Sequence, residues 1–66
     1  MAFSAKEWAI LTVLRHSPRP VTTNYIADEV SVSWHTANRT LTKLFERGYV
    51  RRGVSPGGTT YWKLVR

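Results

Sequence analysis

Cysteine is absent from the 66-residue chain. That excludes disulfide staples, thiolate nucleophiles and Cys-ligated zinc, and it suits a reducing compartment. Acidic residues are scarce: four Asp and Glu stand against ten Lys and Arg, a formal charge of +6. A domain so charged attracts polyanions, nucleic acid or acidic membrane, by summed Coulomb forces. Long apolar runs are missing, and nothing approaches the ~20 residues of a membrane helix. The opening Met1-Ala2-Phe3-Ser4-Ala5-Lys6-Glu7 has no basic region followed by an apolar stretch, so no signal peptide is expected. Catalytic groupings are missing too. His16 and His35 fall on separate segments, with no clustered carboxylates and no Gly-rich phosphate loop. The expectation is a protein that is not an enzyme and uses no cofactor or metal.

What is present is a folding domain. The chain is 42% hydrophobic and 12% aromatic, too rich for a disordered tail. It contains no repeat and no linker, so residues 1–66 read as one domain with an unstapled core. Three breaks punctuate it: Ser17-Pro18-Arg19-Pro20, Gly48 and Ser55-Pro56-Gly57-Gly58. Before the first, Ser4 and Glu7 have capping-box spacing, with Phe3 and Trp8 placed as a hydrophobic staple. Ile10, Leu11 and Leu14 share a helical face, which predicts a helix from Ala5 to His16. Val21 reads as a one-bridge strand. Thr22 or Thr23 can cap a short second helix from Asn24 to Val30, buried through Ile26, Ala27 and Val30.

Ser31-Val32-Ser33 makes a tight connection, with Val32 expected to point inward. Ser33 caps a third helix over Trp34 to Arg47, with Ala37, Leu41, Leu44 and Phe45 as its buried stripe and Gly48 closing it. Two strand-like segments follow, Tyr49 to Val54 and Thr60 to Val65. Pro56-Gly57 between them suits a type II turn, and Gly53 hints at a bulge. The predicted class is mostly α with a small β-hairpin, in the order helix–helix–helix–strand–strand.

The third helix carries the functional signal. With Leu41 turned inward, His35, Thr36, Arg39, Thr42 and Lys43 fall on the opposite side, and Asn38 and Thr40 on the flanks. This face has no acid before Glu46. Polar surfaces ordinarily mix both signs. Guanidinium, ammonium, amide and hydroxyl groups are those that hold phosphates and read base edges.

The stretch from Val21 to Arg52 resembles the winged helix-turn-helix DNA-binding domains of transcriptional regulators. Ile26-Ala27 resembles the apolar-Ala pair of the motif's first helix. Ser33, Thr36 and Ala37 resemble the opening of its recognition helix, and Leu41, Leu44, Gly48 and Val50 its Leu-x-x-Leu-x-x-x-Gly-x-Val ending. The resemblance implies that Ser33, Trp34, His35, Thr36, Asn38, Arg39, Thr42 and Lys43 enter or border the major groove of duplex DNA. It makes the hairpin a wing, basic through Arg51, Arg52 and Lys63, with amides and hydroxyls from Gly57, Gly58, Thr59 and Thr60 near its tip. Arg19 and Thr23 would lie by the backbone at the start of the second helix. His35 suits a hydrogen-bonding role better than that of a phosphate anchor. Trp34, where the family has a short or basic residue, is expected to pack over the core more than to touch DNA.

The implied function is sequence-specific regulation of transcription by a small cytoplasmic protein of prokaryotic, plasmid or viral origin, acting as a monomer or a homodimer. One alternative is a winged helix that binds protein within a larger complex, since fold does not dictate function. Another is binding of left-handed Z-form duplexes. Asn38-Arg39 with Trp62-Lys63 has the spacing of such domains. They carry an aromatic hydroxyl where this chain has Thr42, and prolines where it has Thr59-Thr60.

Overall fold

The computed structural model describes residues 3–65; Met1, Ala2 and Arg66, counted above in the single domain, lie outside them. Three helices and three strands follow in order: α1 (Ala5–Arg15), β1 (Val21–Thr22), α2 (Thr23–Val30), α3 (Trp34–Glu46), β2 (Val50–Val54) and β3 (Thr60–Leu64). This is a winged helix, as the element order predicted.

Local chemistry sets each boundary. At the start of α1, the Glu7 amide donates to Ser4 Oγ and the Ser4 amide to Glu7 Oε1, closing the capping box. The Phe3 ring stacks on Trp8 with centroids 5.6 Å apart, forming the expected staple. The helix stops at Arg15, and His16 is its cap rather than its last turn. The Ser17 hydroxyl donates to the Val13 carbonyl there, supplying a partner that continued helix would otherwise provide.

Helix α2 starts at Thr23, one residue earlier than predicted, because the Thr22 hydroxyl accepts the Tyr25 amide. Helices α2 and α3 end alike. Tyr49 N–H donates to Leu44 and Gly48 N–H to Phe45, with Gly48 left-handed at φ 83°. Val32 N–H donates to Ala27 and Ser31 N–H to Asp28, with Ser31 left-handed at φ 58°. Both are Schellman closures. Serine therefore holds a position that favours glycine.

The strands form a three-stranded antiparallel sheet in the order β1-β3-β2. Val21 pairs with Trp62 and Thr22 with Tyr61, so the expected single bridge is a two-residue strand. The β2–β3 register runs unbroken from Val50↔Leu64 to Val54↔Thr60, with Gly53 opposite Tyr61. There is no bulge at Gly53; a smooth ladder accommodates it. The turn also departs from type II. Gly58 N–H donates to the Ser55 carbonyl, but the left-handed residue is Gly58 (φ 88°), not Gly57. Pro56-Gly57 followed by left-handed Gly58 is the three-residue loop built on a type I turn.

The core joins the sheet to all three helices through Ile10, Leu11, Leu14, Ile26, Leu41, Leu44, Val50 and Trp62. Phe45, expected in the buried stripe of α3, is 38% exposed. It lies at the stripe's edge, where Trp62 meets it edge-on and the Arg52 guanidinium covers it 4.6 Å from the ring centroid. Trp62 fills the centre of the sheet, and its Nε1–H donates to Thr23 Oγ1 over 2.8 Å. That bond ties the middle strand of the sheet to the first turn of α2. No helix among the described residues is long and apolar enough to cross a membrane.

Candidate nucleic-acid interface

Helix α3 presents the ridge that its spacing predicts. His35, Arg39 and Lys43 are exposed, with Thr36, Asn38, Thr40 and Thr42 partly buried beside them. The one ion pair among the described residues joins Arg47 to Glu7 at 3.2 Å, so Arg39 and Lys43 have no acidic partner there. A solvated guanidinium and ammonium one turn apart can engage phosphates or guanine without first breaking an internal bridge.

The hydroxyls on this helix differ in what they can still do. Ser33 Oγ accepts the Thr36 amide and donates to Thr36 Oγ1 at 3.0 Å, so it holds the helix start. Thr36 keeps its own O–H to donate outward. Thr42 donates to the Asn38 carbonyl at 2.8 Å and keeps only its lone pairs and methyl. Thr36 therefore suits a phosphate oxygen, whereas Thr42 suits a base amino group or a thymine methyl.

Trp34 does not seal the core. It is 49% exposed and lines a groove of about 210 Å³ with Thr22, Asn24, Gly58, Thr59 and Thr60. The first turns of α2 and α3 and the wing tip therefore meet at one place. Trp34, Gly58, Thr59 and Thr60 were expected at or near the interface, but Thr22 and Asn24 escaped sequence reasoning. A run of Thr-Thr-Asn at a helix start was the available signal, and it does not say which hydroxyl turns outward. Thr23, singled out from that run, is 4% exposed, with its hydroxyl bound to Trp62. Its side chain is a buried tie and not a surface contact.

The wing is corrected in two respects. Its tip amides are partly engaged internally: Gly58 N–H bonds the Ser55 carbonyl and Thr59 N–H the Ser55 hydroxyl. The Thr59 hydroxyl stays available. Second, its cations do not share a face. Arg52 pairs with Trp62 on the helix side of the sheet, while Arg51 pairs with Lys63 on the other. Arg52 is seated over Phe45 of α3.

The profile of the MarR family matches residues 3–59. The chain belongs to the MarR family. Among solved structures, it is similar to the PcaV transcriptional regulator of Streptomyces coelicolor, crystallised with its natural ligand. The TM-score is 0.86 at 17% identity, over 96% of this chain and 45% of that one. It is also similar to a protein of the thermoacidophilic archaeon Sulfolobus tokodaii (TM-score 0.84, 27% identity, 94% of this chain and 61% of that one). The ferric uptake regulator of Vibrio cholerae shares the fold as well (TM-score 0.85, 19% identity, all of this chain and 55% of that one). The MarR-type chain thus spans about half the length of these structures. No curated protein matches its sequence.

Proposed function

We propose that this MarR-family chain is a single DNA-binding domain that regulates transcription. In this reading α3 lies in the major groove of duplex DNA, and the β2–β3 hairpin follows the adjacent backbone as the wing. The observation that carries it is the ridge of His35, Arg39 and Lys43, exposed, unpaired among the described residues and free of acid. The groove between Trp34 and the wing tip is where a phosphate run would pass from one element to the other. Ser33, Thr36, Asn38, Thr42 and Arg52 support that surface by position; Arg51 and Lys63 reach it only if the backbone bends around the wing. The place of action is the cytoplasm, where the DNA of a prokaryotic cell lies.

Binding to a random duplex pool across a salt series tests the reading. Log affinity should fall against log salt with a slope near −0.9 per neutralised phosphate. A winged helix that docks on protein would show little duplex affinity and a weak salt response. Selection from the same pool would give the operator, and a palindromic consensus would show that two chains bind together. The apolar groove of Phe3, Trp8, Leu11, Tyr49 and Leu64, in which Trp8 is 60% exposed, is the surface such a pair would have available. The Z-form alternative loses its aromatic contact, since Trp62 is buried against Thr23. Circular dichroism of an alternating CG duplex should accordingly stay right-handed on titration.

A further inference from the structure

The sheet face turned away from α3 is a second basic surface, which the duplex reading reaches only if the backbone bends around the wing. Side chains alternate along β3, so Trp62 faces the helices while Tyr61 and Lys63 face the other way. An open groove of about 620 Å³ lies along these strands, lined among others by Arg19, Pro20, Arg51, Gly53, Tyr61 and Lys63. No acidic residue lines it.

Two features point to an anionic occupant with a flat ring. Arg51 and Lys63 sit directly opposite each other across the β2–β3 ladder. Like charges so paired destabilise a sheet unless an anion lies between or above them. The next pair on the same face is Gly53 opposite Tyr61, with nothing within 4 Å of where a Gly53 Cβ would stand. The Tyr61 ring therefore borders a space that no side chain fills.

Across the sheet, Arg19 and Pro20 precede edge strand β1, Lys63 lies on central β3 and Arg51 on edge strand β2. At about 5 Å per strand these cations form a row, not a convergent pocket. A row suits a chain of phosphates better than one phosphate. A duplex would offer its backbone but keep its bases stacked internally, leaving Tyr61 without a partner.

We propose that this outer face binds single-stranded nucleic acid, with Arg19, Lys63 and Arg51 along the backbone and a base stacked against Tyr61 above Gly53. Aromatic platforms in basic grooves hold single strands in this manner. The site is separate from α3 and stands whether or not the duplex reading holds.

The test uses fluorescence anisotropy of the full chain with a labelled oligothymidylate of about ten nucleotides, within the usual site size of such grooves. Tyr61→Ala should weaken binding by about 5- to 150-fold, the range for losing one stacked base, and Tyr61→Phe should retain it. Gly53→Val should also weaken it, because its side chain enters the open space without meeting a neighbour. Thermal unfolding of each variant checks that the fold persists, and duplex affinity should not change. Arg39→Ala should lower duplex affinity and leave oligothymidylate binding intact. The proposal is overturned if Gly53→Val and Tyr61→Ala both bind oligothymidylate as the parent does. It is equally overturned if duplex and oligothymidylate displace each other one for one.

Discussion

Replacing Thr23 by Val removes one oxygen from the centre of the molecule at nearly constant volume. In the parent, Thr23 Oγ1 accepts from Trp62 Nε1 at 2.8 Å, and the two residues are 4% and 1% exposed. The indole N–H would be left without its acceptor on a side chain that is almost wholly buried. A buried donor left without a partner costs about 1–3 kcal/mol. The methyl group that replaces the hydroxyl returns up to ~0.8 kcal/mol of apolar burial. The net loss is therefore about 0.2–2 kcal/mol. For a domain of this size each kcal/mol moves the melting midpoint by roughly 4–8 °C, so a fall of up to ~16 °C is expected. Far-UV circular dichroism on heating measures it. Thr23→Ser keeps the acceptor and should lose less. Trp62→Phe removes the donor, and the Thr23→Val, Trp62→Phe pair should be less destabilised than the sum of its parts, by about 0.5 kcal/mol or more. Additive losses, or a Thr23→Val protein that melts with the parent, would refute the buried tie between the wing and α2.

Three further changes address separate parts of the molecule. Arg39→Ala should cost roughly 1–3 kcal/mol of binding to a selected operator if Arg39 reads a base, measured by titration against specific and random duplexes. Equal losses on both would assign Arg39 to phosphate instead. Leu41→Ala should destabilise the fold by ~2–5 kcal/mol, because Leu41 is wholly buried and its neighbours cannot collapse fully into the cavity; denaturant unfolding would show an unchanged midpoint if the register of α3 were wrong. Ser31→Gly should stabilise the protein by about 0.5–1 kcal/mol in the same assay. The left-handed backbone at Ser31 strains a residue with a Cβ by ~1–2 kcal/mol, and glycine's greater freedom in the unfolded chain offsets part of that gain.

The amino-acid pattern alone determined the class of fold and the basic ridge of α3. Capping chemistry at Ser4 and Ser33, apolar spacing in α1 to α3 and the glycine after Arg47 act within a few residues, so they are readable in one dimension. The same periodicity turned Leu41 inward and placed Arg39 and Lys43 outward. What the pattern could not decide was anything that depends on two distant segments meeting. Thr22 and Thr23 are chemically equal in the sequence; only the arrival of Trp62, 39 residues away, made one of them a buried acceptor and left the other to cap a helix and border a groove. Phe45 had the right spacing for burial, but its cover turned out to be the guanidinium of Arg52, delivered by the strand register. That register also divided the wing's cations between two faces. Local energetics choose helices and turns, whereas the faces of a sheet and the partners of a buried polar group exist only once the chain has packed.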